Sequence, residues 1–137
     1  MRLVLQRTGE TIADAVEIAA TRASRRKGLL GRDSLAPEEA LVLSPCFAVH
    51  TAFMRFAIDV VFVDCDGVVR KVVSMPPWRM AADIGASAVV EMAAGGAHDL
   101  RPGDRVYLSD ASGVLASSSF SSPSLRSTAS NPACSGS

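Results

Sequence analysis

The sequence predicts a mainly β chain, an antiparallel sandwich or barrel-like single domain with one or two short helices and a disordered C-terminal tail. Three observations carry this expectation. Short runs rich in β-branched residues recur along residues 1–110, broken every few residues by Gly, Pro or Asp turns. The run "AIDVVFV" is apolar on both parities, as a strand between two packed layers must be. Composition changes abruptly after Asp110, where "ASGVLASSSFSSPSLRSTASNPACSGS" is dominated by serine and loses all aliphatic periodicity. Such a segment buries too little apolar surface to offset its ordering entropy, so the expected division is a β-rich domain over 1–110 and a disordered tail over 111–137.

Along the chain, "RLVLQR" reads as a first strand, and "ETIADAVEIA" as either a strand pair or one longer strand. Thr21 is placed to cap a short helix through "RASRRKGLL", with Gly31 just beyond its end. "EEALVLS" is a strand stopped by Pro45. "IDVVFVD" and "VVRKVVSM" form a hairpin, signalled by "CDG" between them. Pro76 and Pro77 end that hairpin, "WRMAADIGA" reads as loop, and "SAVVEMA" as another strand. "AGGAHDL" reads as one helical turn, "RPGD" as a tight turn and "RVYLS" as the last strand. No internal repeat is visible.

Charge and cysteine content narrow the function. Lysine plus arginine total 14 and aspartate plus glutamate total 14, so there is no global attraction to nucleic acid or an anionic membrane. The chain start lacks an apolar stretch of signal-peptide length, and no run approaches the roughly 18 apolar residues of a membrane span. The expectation is a soluble cytoplasmic protein. Its three cysteines, Cys46, Cys65 and Cys134, are widely spaced and contain no Cys-x-x-Cys pair. They are expected to be reduced, with no Cys46–Cys65 disulfide.

The candidate chemistry lies in "CFAVHTAFMRFAIDVVFVD", which is largely apolar yet holds Cys46, His50, Met54, Arg55 and Asp59. Cys46, His50 and Met54 are spaced four apart, so they share a strand face by parity or lie near one helical stripe. Thiol, imidazole and thioether are the soft ligands that suit Cu(I), which makes these three a copper-site candidate, although the surrounding phenylalanines favour plain core. Cys46 with His50 is the candidate pair for an enzyme, but no nucleophile elbow, zinc-protease or phosphate-loop motif accompanies it. Asp59 heads a buried strand and needs a partner, for which Arg55 is nearest in sequence. Alternatively, Asp59 is structural and pins the turn between Phe53 and Ile58. Arg22, Arg25 and Arg26 share a helix face, read as a solvated surface.

Three segments, "RASRRKGLLGR", "CFAVHTAFMRFAIDVVFVDCDGVV" and "AVVEMAAGGAHDLRPGDRV", together resemble the prokaryotic family of uncharacterised proteins called domain of unknown function 192. The resemblance covers about residues 11–110. It rests on Arg25, Gly28, Leu29 and Leu30, then Phe53, Met54, Arg55, Ile58 and Asp59, and finally Glu91, Gly95, Gly103 and Asp104. Phe53 stands where many members have Trp, and Phe56 and Ala57 where many have Asn and Thr or Pro, so if that polar pair touches a ligand in relatives the site here is more apolar. The resemblance implies a β-rich sandwich-type fold with short helices, and it brings no established activity, cofactor or partner.

The resulting expectation is a noncatalytic module that binds a small molecule or a peptide, with no cofactor. Its pocket would be formed by Cys46, His50, Phe53, Met54, Arg55, Asp59 and Trp78.

Overall fold

A computed structural model describes residues 1–109 and the backbone of residues 115–116. Its elements run β1 (Arg2–Leu5), β2 (Thr11–Ala13), β3 (Ala15–Ala19), α1 (Arg22–Lys27), β4 (Glu39–Leu43), β5 (Ala48–His50) and β6 (Ile58–Val63). They continue β7 (Val69–Met75), β8 (Met80–Ala82), β9 (Ala88–Ala93), β10 (Val106–Ser109) and β11 (Leu115–Ala116). One sheet has the order β11-β10-β1-β2, a second β3-β4-β9-β6-β7, and β5 and β8 form a separate ribbon. Among the described residues no sheet closes on itself, so the sandwich form of the expectation holds and the barrel form does not.

The five-stranded sheet is the middle layer. Every residue of β6 is buried, as "AIDVVFV" requires. Alternate residues of its strands face two different cores. Val42, Val61, Val63 and Val90 pack against Leu3, Leu5, Val106 and Leu108 of the four-stranded sheet. On the opposite face, Leu41, Leu43, Val60, Phe62 and Val89 pack under Leu29, Leu35, Met54 and the β5–β8 ribbon.

Several elements depart from expectation for identifiable reasons. β3 and β4 pair in parallel, not antiparallel. Parallel neighbours need a long crossover, and residues 20–38 supply it, carrying α1 over the sheet. The helix ends at Lys27 with Gly28 as its cap, earlier than Gly31, because the Gly28 N–H already closes the last turn onto the Ser24 carbonyl at 3.0 Å. Part of "WRMAADIGA" is β8, which gains its backbone partners from β5, far away in sequence. "AGGAHDL" forms hydrogen-bonded turns rather than a helix. Leu115 and Ala116 pair with Ser109 and Leu108, so those two residues of the expected tail extend a sheet. The remainder of that tail lies outside the described residues. Cys46 is a free thiol, so no Cys46–Cys65 bond forms. Cys65, however, is disulfide-bonded, against the expectation that it is reduced; Cys134 lies outside the described residues.

Asp59 is structural, but through a different turn from the one expected. Its side chain lies on the face of β6 shared with Val61 and Val63. Oδ1 accepts from Ser74 Oγ at 3.0 Å, and Oδ2 accepts from the backbone N–H groups of Gly95 and Ala97 at 3.0 and 3.1 Å. It thereby fastens the turn after β9, where Gly95 has a φ of 89°.

Asp59→Ala leaves two turn N–H groups without an acceptor. The expected cost is about 3 kcal/mol, the scale of hydrogen bonds to a buried charge. Urea unfolding checks this; a loss under about 1 kcal/mol would mean that other contacts hold the turn.

Candidate functional site

The crossover between β3 and β4 builds the site. Thr21 starts α1 with a reciprocal cap: its Oγ1 accepts from the Ser24 N–H at 3.0 Å, and its own N–H donates to Ser24 Oγ at 3.1 Å. The helix has six residues and buries none of them, so it is held by its caps and by the segment beyond Lys27. That segment opens with Gly28, at φ 48° and ψ −124°, a conformation suited to glycine. The chain then turns inward and Leu29 enters the core at 2% exposure.

Under Gly28 lies Glu91. A Cβ on Gly28 would stand 3.5 Å from Glu91 Oε1, so the crossover backbone rests almost on the carboxyl group. Glu91 sits in β9, the central strand of the middle sheet, flanked in register by Leu41 and Val60. It is 4% exposed, and no hydrogen bond or ion pair to its carboxyl group is present among the described residues. Its remaining opening is into a cavity of about 330 Å³. Gly28, Leu29 and Leu30 of the crossover, Leu43 of β4, Met54, and Cys46, Ala48, Val49 and His50 at the ribbon complete the walls. Arg22, Arg25, Arg26 and Lys27 stand at the rim, so the face read as merely solvated borders a cavity.

Burial pushes the Glu91 carboxyl up to about 7. Arg32 opposes this, but that guanidinium is shared with Glu17 at 3.1 Å and Glu39 at 3.8 Å. Burial likewise pushes the Cys46 thiol up, and its Sγ donates to the Ala48 carbonyl at 3.2 Å. A thiol held in its neutral form is a poor nucleophile and a poor metal ligand.

Of the residues expected to form the pocket, Cys46, His50 and Met54 line this cavity. Arg55 does not meet Asp59; it pairs on the surface with Asp33. Asp59 faces the other side of the sheet, because neighbouring strand residues alternate and the β5–β8 ribbon covers the face opposite it. Phe53 and Trp78 are 74% and 59% exposed and pack on each other in a tilted arrangement, with ring centroids 4.6 Å apart. Both have positive φ, 65° and 68°, and the carbonyl of buried Thr51 ties their segments together by accepting from the N–H groups of Met54 at 3.1 Å and Trp78 at 3.0 Å. Glu91 was not among the expected site residues. Its signal was an acidic residue between Val90 and Met92, in a strand otherwise free of charge.

Among the described residues, no group of three or more His, Cys, Asp and Glu side chains is placed to hold a metal ion. No helix among them is long and apolar enough to cross a membrane.

Comparison with known proteins gives a family and a fold. The family model DUF192, described as an uncharacterized ACR, matches residues 3–108. No curated protein matches the chain. A Novosphingobium aromaticivorans protein of unknown function has a similar crystal structure, with a TM-score of 0.68 at 24% identity over 79% of this chain and 84% of that one. A proposed transcription regulator from Sinorhizobium meliloti is also similar, with a TM-score of 0.66 at 23% identity over 82% of this chain and 92% of that one. At such identities the likeness concerns the fold.

The state of Glu91 makes stability depend on pH. Its folded value, about 7, lies above its ordinary 4.5. Between these values the folded chain binds the extra proton, so stability falls as pH rises through this window and levels off above it. The total is on the order of 3 kcal/mol. Asp83 and Asp104 are held below their ordinary range, first by hydrogen bonds from Arg70 and Arg7, and so act only at lower pH. Glu91→Gln should therefore melt close to the wild type at pH 4.5 and above it by about 10 °C at pH 8. Parallel pH profiles for the two proteins would refute the assignment.

Proposed function

The chain belongs to the DUF192 family, and we propose that it is a small-ligand binding module whose site is the cavity between the α1 crossover, the β5–β8 ribbon and the middle sheet. One observation carries the reading: Glu91 is buried, has no partner among the described residues, and borders that cavity. A carboxylate removed from water without compensation is costly. A ligand group that bonds it recovers that cost, and destabilising groups of this kind are a recurrent mark of binding sites.

The surroundings support the reading. A few polar groups converge on a wall of Leu29, Leu30, Leu43, Val49 and Met54, the usual composition of a ligand site. A volume of about 330 Å³ suits a small molecule better than a peptide, which would need an open groove or a free sheet edge. The alternative of an enzyme built on Cys46 is disfavoured by the neutral state of its thiol.

Native mass spectrometry of the purified protein, followed by a thermal-shift screen of small metabolites, tests the proposal. The expected result is a small co-purifying molecule, or a compound that raises the melting point of the wild type but not of Glu91→Gln. Saturation at about a hundred times Kd stabilises by about 2.7 kcal/mol, a shift on the order of 10 °C. A screen without hits, or hits that stabilise the Gln variant equally, would overturn it.

A further inference from the structure

The cavity has opposite charge preferences at its two ends, and this deepens the binding reading on which it rests. At the buried end is Glu91, 4% exposed. The rim cations do not neutralise it, since no ion pair joins Glu91 to any of them. At the outer end, Arg22, Arg25, Arg26 and Lys27 crowd into one six-residue helix that contains no acidic residue. Arg25 donates to the Ala20 carbonyl at 2.6 Å, which consumes part of its donor capacity. The side chains of Arg22, Arg26 and Lys27 have no hydrogen bond or ion pair among the described residues. Between the ends, the wall is mainly apolar, with Leu29, Leu30, Val49 and Met54, and carries Cys46 and His50 on the ribbon side.

We infer that the ligand is a small zwitterion, with a protonated amine against Glu91 and a carboxylate or phosphate against Arg22, Arg26 and Lys27, joined by a short methylene chain. An amine is preferred over a hydroxyl at Glu91 because only a cation offsets the ionised carboxylate in a site of low dielectric. An anion is preferred at the rim because four like charges on neighbouring positions repel until one is bound. The apolar wall takes the methylene carbons. A cavity at the small end of the range for ligand sites leaves room for little more.

Isothermal titration calorimetry at pH 7 with phosphoethanolamine and with γ-aminobutyrate tests this and separates phosphate from carboxylate recognition. Inorganic phosphate, butyrate and butylamine are the single-ended controls. The expected result is that one zwitterion binds the wild type at least tenfold tighter than either of its halves. Glu91→Gln should erase that advantage and leave the binding of the anionic half unchanged. Arg22→Ala with Arg26→Ala, both at helix positions that bury neither residue, should weaken both anion-bearing classes and spare butylamine. Titrations in PIPES and in Tris should report the release of about half a proton on zwitterion binding, as Glu91 ionises beneath the amine. Zwitterions that bind no better than their halves, or bind without proton release, would overturn the inference. A neutral compound that stabilises the protein in a Glu91-dependent way would overturn it while leaving the binding-module reading intact. Absence of any Glu91-dependent ligand would remove both.

Discussion

The three central strands of the middle sheet have no wet face, and most of the architecture derives from that constraint. β4, β6 and β9 bury nearly every side chain they carry. Side chains alternate across a sheet, so two separate covers are needed. The four-stranded sheet covers one face in the usual manner of a sandwich. No second sheet of comparable size covers the other among the described residues. Instead, the crossover from β3 to β4, the loop around Met54 and the small β5–β8 ribbon share that face. A cover assembled from such pieces closes less completely than a sheet, and the cavity lies where the crossover meets the ribbon.

Two carboxylates in the same sheet show how that difference becomes chemical. Asp59 and Glu91 are both buried, at 5% and 4% exposure, on adjacent strands. They face opposite covers. Asp59 points towards the closed side, where a turn after β9 presents two backbone N–H groups and Ser74 adds a hydroxyl. Its charge serves as a fastening. Glu91 points towards the loosely closed side, beneath a glycine that offers it no donor, and its carboxyl group is pushed towards neutrality. Burial alone does not tell these two acids apart; the supply of donors does. The same test removes Cys46, which has found an acceptor and keeps its proton.

Much of the fold was legible because it depends on local signals. Residue-by-residue alternation, "CDG" and "RPGD" turns, and the Thr21 cap each act within a few positions. The candidate site was less legible. Cys46, His50 and Met54 do share one cavity, because their spacing keeps them at one side of the ribbon and its following loop. Nearness in sequence pairs Arg55 with Asp59, whereas its partner, Asp33, is 22 residues away on the crossover. Phe53 and Trp78 meet one another rather than the cavity, held by backbone conformations that composition does not announce.

The sequence by itself determined the β class, the buried strand β6, the helix start at Thr21 and the family to which residues 3–108 belong. Each of these is set by side-chain period, by a cap or by local motif, and needs no knowledge of distant neighbours. Only the tertiary structure decided that β3 and β4 run parallel, that β5 and β8 pair, and that Asp59 is satisfied whereas Glu91 meets no donor among the described residues. Those outcomes depend on which distant backbone groups arrive beside a given side chain. A buried carboxylate reads the same in the sequence whether two N–H groups meet it or none does, and only long-range packing brings them there or keeps them away.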